Sequence, residues 1–497
     1  MSLTIDPPPP EEPRQEKRKS CLFVAISGIV IISLLAASAA GVVLFFTEQT
    51  PEAAKSVAKA PIIPDIEPTA ETGVEHAEAA TSNTGEPAAV TAIDPAEPAL
   101  NRIVFVNDER QIETVAPDGS QPRMLTDEDH FYEFPAWSPD GSRIAALGSD
   151  QRGGGIFLLN DAEEPGDPQE LYFSQNQRPF YLYWSPDSQQ ISFLASDPVR
   201  GMGLNVMDAE AGVESRLIAS GSPFYWNWTA DSRQMLIHSG SQETDSRLVL
   251  IDDAGQDQAP QIPDPGYFQA PGISPSGRYW AYSQIKDGGI SWITVDDQTN
   301  GEQMAERHAG SIALNWSPIA DKLAFISGDN DGRFDFWGPL RLLDAETGET
   351  SLLSSNLVLA FFWSPDGKQI LTISVPDNSG LNGGVEVRNT KNRHLARNKQ
   401  EIPTLQAMPH QFMLSVIDVE TGTGLELADV SLPTVYLSQF LIYFDQYALS
   451  HNLWSPDSKQ IVLPIVAGNE NQIVVVSAKS GRMQQVGNGR IAFWSKR

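Results

Sequence analysis

Behind the first hundred residues, the apolar positions fall into short β-prone runs rather than a helical stripe, and clusters of Pro, Gly, Asp and Ser separate them. Ile191-Ser192-Phe193-Leu194 and Leu323-Ala324-Phe325-Ile326 are typical. Each run opens at one fixed distance behind a tryptophan-led turn. Ile144, Ile191, Met235, Trp280, Leu323, Ile370 and Ile461 all lie seven residues after a motif start. A constant offset predicts a strand, a tight turn and a second strand. A third strand closes on an acidic turn in Leu204 to Asp208, Leu248 to Asp252, Leu340 to Asp344 and Leu414 to Asp418. Runs such as Pro122-Arg123-Met124-Leu125 and Ser351-Leu352-Leu353 supply a fourth.

The turn itself is a repeat. Trp137-Ser138-Pro139-Asp140-Gly141, Trp184-Ser185-Pro186-Asp187-Ser188, Trp363-Ser364-Pro365-Asp366-Gly367 and Trp454-Ser455-Pro456-Asp457-Ser458 are full copies. Trp228-Thr229-Ala230-Asp231-Ser232, Ile273-Ser274-Pro275-Ser276-Gly277 and Trp316-Ser317-Pro318-Ile319-Ala320 are weaker ones, and Trp494-Ser495 is truncated. From Trp137 to Trp363 the copies fall 47, 44, 45, 43 and 47 residues apart. In the turn, Pro presets φ, Asp accepts local N–H groups, and Gly accepts φ > 0. The Trp is a large apolar body suited to the space between stacked sheets. Four strands in a period of ~45 residues make the blade of a β-propeller.

The two ends complete the count. Arg102 to Val106 reads as a second strand with no Trp motif before it, and Ile491 to Trp494 as a first strand with nothing after it. If they share one blade, the ring closes without exposed edges. The expected fold is therefore an all-β, eight-bladed propeller, with seven blades as the alternative if one weak copy lacks a blade. The repeats resemble those of the TolB-type, WD40-like propellers of bacterial periplasmic proteins and of the propeller domains of some serine peptidases. The resemblance covers about residues 101 to 497. It implies the fold and little about function, because propellers host many unrelated activities.

The N-terminal part has another character. Residues 1–20 are polar and end in Arg14, Lys17, Arg18 and Lys19, and Cys21 to Phe46 then runs 26 residues without a charge. That exceeds the ~20 residues a helix needs to cross a bilayer. The alternative is a cleavable signal peptide ending near Ala36 to Ala40. Apolar sequence continues past that point to Val42-Val43-Leu44-Phe45-Phe46, which favours an uncleaved span. Basic residues before the span put the N-terminus in the cytoplasm and the propeller outside it, in a bacterial envelope. Residues 47–100, with seven prolines and many Ala and Glu, read as a disordered linker.

Charge and composition then narrow the partners. A formal net charge of −30 excludes nucleic acid as an expected partner and favours a cationic or neutral one. The single cysteine, Cys21, excludes an intramolecular disulfide. The seven histidines show no metal-ligand spacing, so no metal or cofactor is expected. Asp329-Asn330-Asp331-Gly332 lacks the partners of a calcium loop and reads as an acidic turn. There is no G-x-S-x-G elbow and no room for a hydrolase domain beside the propeller. TolB's own N-terminal domain is replaced here by the span and linker, so its partners are not carried over.

Three segments stand out as candidate binding elements. Aromatics crowd the positions before the Trp motifs: Phe131, Tyr132 and Phe134; Phe180, Tyr181 and Tyr183; Phe224, Tyr225 and Trp226; Tyr267 and Phe268; Phe361 and Phe362. Alternation makes about half of these core. The rest, with Phe131, Tyr132, Phe180, Tyr181, Phe224, Tyr225, Trp226, Tyr267 and Phe268 as candidates, would form a rim suited to a peptide or sugar. The interval between Trp363 and Trp454 is about twice the period without a ninth motif, so insertions are expected at 376–411 and 431–446. The first holds Arg388, Lys391, Arg393, His394, Arg397 and Lys399, a basic cluster in an acidic chain; it reads either as a solvated loop or as a docking loop for an acidic partner. The expected function is a membrane-anchored module that binds or scaffolds a protein, peptide or glycan outside the cytoplasm, without catalysis. The alternatives are a propeller hydrolase or lyase using carboxylates at the channel mouth, and a structural component of an envelope complex.

Overall fold

The computed structural model describes residues 101–496 apart from 128, 165, 198–200, 242–243, 253, 257–264, 267–268, 287–289, 302, 309–311, 328–337 and 377–410. The expected span at Cys21 to Phe46, the linker 47–100, the acidic turn at Asp329 and all six residues of the basic cluster lie outside the described residues. Among the described residues, no helix is long and apolar enough to cross a membrane.

The architecture is all-β and antiparallel. In the first sheet the C-terminal strand Ile491–Trp494 pairs with Ile103–Val106, followed by Ile112–Val115 and Arg123–Met124. The two ends of the described chain therefore share one sheet, as the sequence pattern requires. Phe131–Trp137, Ile144–Ser149, Gly154–Leu159 and Gln169–Ser174 form the second sheet, and Pro179–Trp184 to Arg216–Gly221 the third. A three-stranded sheet, Phe224–Trp228 to Thr244–Asp252, and a four-stranded one, Gly272–Ile273 to Gln303–His308, follow. Next comes a seven-stranded sheet from Ile312–Trp316 to Gly424–Val430, then a three-stranded one, Gln460–Ala467 to Met483–Asn488. In the seven-stranded sheet one long strand, Thr350–Trp363, pairs by its first half with Gly338–Asp344 and by its second half with Gln369–Ser374. No turn separates the two halves.

Two devices encoded in the repeat tie one repeat to the next at several junctions. The first is the Trp indole. Trp184 Nε1–H donates to Ala136 O (3.0 Å), Trp363 to Asn315 O (3.1 Å) and Trp454 to Phe362 O (3.1 Å). In each case the acceptor is the residue just before the preceding motif's Trp. The Trp454 bond makes the sheets of Trp363 and Trp454 direct neighbours despite the long interval between them. The last sheet packs in turn on the closing one, where Val462, Ile473 and Val475 share a core with Ile103 and Phe105. Buried Asp161 then ties the closing sheet to the second by pairing with Arg102 and Arg123.

The second device is the turn. Its Ser Oγ donates to the Asp two residues on, at 2.6–2.7 Å for Ser138, Ser185, Ser364 and Ser455, and accepts the N–H five residues on. Where the fifth motif residue is Ser, it sits at positive φ (Ser188 +64°, Ser232 +63°, Ser458 +59°) and takes a bond from the preceding turn. Asp140, Asp187 and Asp366 N–H donate to Ser188, Ser232 and Ser458 Oγ at 3.0–3.1 Å.

The degenerate copy Trp316 to Ala320 departs from this relay because Ile319 carries no carboxylate and Gly367, the fifth residue of the next turn, has no hydroxyl to accept its N–H. Ile319 replaces the Asp and lies over Gly367 of the next turn, where a Cβ would meet Ile319 Cγ1 at 2.6 Å and Ser317 Oγ at 2.8 Å. Gly367 also holds φ +64°. Gly367→Ala is therefore expected to destabilise the fold by ~1–3 kcal/mol, and Ile319→Ala to recover part of that loss in the double variant. Urea unfolding of the four proteins measures the coupling; additive effects would mean that Ile319 does not confine the turn.

Candidate functional site

In most sheets the residues just before the motif Trp form the innermost strand. Before Trp454 they do not, and the strand is reduced to one bridge, Trp454↔Ile461. The residues that would have built it are helical instead: a π-turn at Tyr436–Phe440, a 3₁₀ turn at Leu441–Tyr443 and an α-helix at Phe444–Ser450. The segment expected as a loop at 431–446 is thus ordered and largely buried. The sequence did carry a signal for it. Tyr436, Phe440, Phe444, Tyr447 and His451 recur at spacings of four, four, three and four, and all five are buried.

This segment packs against the innermost strands of several sheets. Tyr447 stacks on Phe134 at 5.1 Å and meets Tyr181 edge-on at 5.0 Å. Phe444 packs on Phe361 and Phe362, and Phe440 on Phe362 and Phe493. Phe134 reaches its stack from a left-handed backbone position, φ +46°, at a bulge in its strand. An innermost strand has no neighbour toward the centre, so its outer N–H and C=O groups need partners. The segment provides them. The Gln446 amide accepts from Trp226 N–H and donates to Trp226 O, both at 2.9 Å, as a neighbouring strand would. Asp445 Oδ2 accepts from Ala270 N–H at 3.0 Å.

A hydrogen-bond relay continues from there. Gln446 Nε2–H donates to Tyr181 Oη (3.2 Å), whose hydroxyl donates to Ser450 Oγ (2.8 Å); Ser450 lies 2.6 Å from His451 Nδ1. His451 Nε2 faces Phe134 O at 3.4 Å, so the neutral ring carrying its proton on Nε2 completes the chain. Burial pushes the His451 pKa down to about 3, which keeps that ring neutral. Asp445 is different in kind. Burial pushes its pKa up to about 6, against the pull of the Ala270, Gln446 and Asp445 N–H groups. Burial also raises Tyr225 well above the ordinary phenol range, and its hydroxyl feels Asp445, Tyr443, Tyr447 and Tyr181. Burial lowers His238 to about 4, and its Nδ1 lies 2.7 Å from Gln269 Oε1, one residue from the donor to Asp445.

The candidate rim aromatics divide. Phe131 and Phe180 are exposed by 46% and 40%, whereas Tyr132, Tyr181, Phe224 and Trp226 are buried; Tyr225 is half-buried. Tyr267 and Phe268 lie outside the described residues. Arg110 covers the Phe131 ring at 4.8 Å and Arg152 the Phe173 ring at 5.5 Å. On the motif-turn side a cleft of about 690 Å³ is lined by Arg143, Asp187, Asp208, Glu210, Asp231 and Arg233 among others. Arg143 already donates to Ala209 O and Ser188 O there. Among the described residues, no three His, Cys, Asp or Glu side chains could hold a metal ion together.

No protein-family model matches the chain, and no curated protein matches it. Solved structures do. Dihydro-heme d1 dehydrogenase NirN in complex with DHE is similar with a TM-score of 0.50 and 12% identity, over 81% of this chain and 76% of that one. TolB from Acinetobacter baumannii matches at 16% identity and a TM-score of 0.37, over 80% of this chain and 66% of that one. Oligogalacturonate lyase in complex with manganese matches at 12% identity and a TM-score of 0.40, over 78% and 83%. At these identities the likeness is one of fold. The sheet order, the shared first sheet and the repeated Trp staples define the class: an all-β protein of the β-propeller type.

Proposed function

We propose that this chain is a single-pass, membrane-anchored protein whose propeller binds a protein, peptide or glycan outside the cytoplasm and performs no chemistry of its own. The propeller is read as eight-bladed. The seven-stranded sheet counts as two blades sharing Thr350–Trp363, and the bridge at Trp454 as the inner strand of the last blade. The observation that carries the binding reading is the helical segment at the centre. Its packing against the inner strands leaves the rims and loop faces as the surfaces a partner meets.

Two surfaces on the loop side are offered. One is the exposed pair Phe131 and Phe180. The other is the insertion, whose ends sit where the helical segment begins: Ser374 pairs with Met413, and Phe412 with Val430. The test is photo-crosslinking of the full chain in its native membrane, from positions 131 and 180, with and without residues 376–411. A product of defined mass lost with the insertion assigns recognition to the basic cluster, and one retained assigns it to the aromatic pair. No product from either protein, with folding verified, overturns the binding reading.

A further inference from the structure

We propose that the cleft on the motif-turn side is a binding site for a neutral saccharide, held by hydrogen bonds to Asp187, Asp208, Glu210, Asp231, Arg143 and Arg233. This goes beyond the reading above, because the cleft lies on the face opposite the surfaces offered there. Phe131 and Phe180 stand at the start of the strands Phe131–Trp137 and Pro179–Trp184, whereas the motif turns bordering the cleft follow the far ends of Pro179–Trp184 and Phe224–Trp228. Its volume of about 690 Å³ falls within the range of small-molecule sites. Three turns wall it: the motif turns at Asp187 and Asp231, and the turn behind the strand Gly201–Asp208, at Ala209 and Glu210. Arg143 ties the walls together. Its guanidinium donates to Ala209 O at 2.7 Å and to Ser188 O at 2.6 Å, and it covers the Trp184 ring at 5.3 Å. A cleft braced in this way is already shaped for its ligand, which lowers the ordering cost of binding.

The polar groups of the lining are only half used. Asp187 Oδ1 accepts from Ser185 Oγ–H at 2.6 Å and from Gln189 N–H at 3.0 Å. Asp231 Oδ1 accepts from Thr229 Oγ1–H at 2.6 Å and from Arg233 N–H at 3.2 Å, and Asp208 Oδ1 from Gln190 Nε2–H at 3.0 Å. The second oxygen of each makes no hydrogen bond among the described residues. Four carboxylates and two guanidiniums line the cleft, yet no two of them form an ion pair. This lining selects among ligand classes. Four carboxylates against two guanidiniums repel an anion. Arg143 and Arg233 oppose a cation at the same place, and among the described residues no three acidic side chains could hold a metal ion. Ala209 is the one apolar side chain of the lining, so an apolar ligand gains little. A sugar hydroxyl both donates and accepts, and neighbouring hydroxyls bridge a carboxylate oxygen and an N–H donor beside it. The cleft offers such neighbours in Asp208 beside Gln190 and Asp231 beside Arg233.

The test is saturation-transfer NMR on the full-length protein in a detergent without sugar headgroups, with cellobiose, maltotriose and N,N′-diacetylchitobiose as probes. Digalacturonate is the anionic control and spermidine the cationic one. A neutral saccharide of the three is expected to bind with a Kd of about 1 mM or tighter, and neither control should displace it. Glu210→Ala and Arg233→Ala, at exposed positions that make no side-chain hydrogen bond among the described residues, should weaken binding ~3-fold each and ~10-fold together. Asp208→Asn, which keeps an acceptor for Gln190, should also weaken it ~3-fold. Thermal unfolding of each variant separates loss of the site from loss of the fold, and Phe131→Ala should leave saccharide binding unchanged. No binding of any of the three saccharides, or equal affinity in the wild type and the Glu210→Ala/Arg233→Ala double variant, overturns the site. So does spermidine binding without saccharide binding, which would make the cleft a cation site. Crosslinking from positions 131 and 180 that persists in the double variant would show that the binding reading stands apart from this one.

Discussion

Phe440→Ala is expected to destabilise the propeller by about 3–5 kcal/mol, the range for a fully buried aromatic reduced to a methyl group. Phe440 is 0% exposed and touches four other rings: Tyr436 at 4.7 Å, Tyr447 at 5.1 Å, Phe493 at 5.4 Å and Phe362 at 5.9 Å. Phe493 belongs to the first sheet and Phe362 to the long strand of the seven-stranded sheet, so one side chain bridges elements distant in the chain. The void cannot collapse easily, because the strands around it are fixed by their own ladders and by the Trp staples. Ile442→Ala, at a half-buried position of the same segment, should cost less than ~1.5 kcal/mol. Urea unfolding followed by tryptophan fluorescence reads both. If the two variants lost similar stability, the central segment would not be the shared core of the ring.

Asp445→Asn should act in the opposite direction at neutral pH, raising stability by about 2–3 kcal/mol, since one pKa unit is worth ~1.4 kcal/mol. The sign follows from linkage. The folded pKa of about 6 lies above the ordinary aspartate value of 3.8. Stability from this group is therefore fully present below pH ~4 and lost as pH rises through 6. Asparagine keeps an acceptor for Ala270 N–H and carries no charge at any pH. The difference between variant and wild type should vanish near pH 4, grow through pH 5–6 and level off above pH 7. Denaturant midpoints across that range test it; a difference independent of pH would mean that Asp445 does not titrate in the folded protein.

The repeat was legible because its chemistry is local. Ser138 reaches Asp140 and receives Arg143 N–H within six residues, so the turn and the strand it launches are written in one short stretch. The offset from each Trp to the next strand follows from that geometry, and so does the pairing of the two chain ends.

The central site was legible only in its parts. The aromatic positions before the Trp motifs stand out in the sequence, and Tyr436, Phe440, Phe444 and Tyr447 carry a helical spacing. Nothing local says that the second set fills the space enclosed by the first. The position before Trp454 should be an inner strand by the repeat, and strand and helix compete there on equal local terms. The outcome was decided by what surrounds it: unpaired edges at Trp226 and Ala270 that Gln446 and Asp445 satisfy, and ring faces at Phe134, Phe362 and Phe493 that the helix buries. The sequence alone determined the class of fold, through turn chemistry repeated at a fixed period. The tertiary structure alone decided what occupies the centre, because burial and edge pairing there depend on residues more than two hundred positions apart, as Trp226 and Gln446 are.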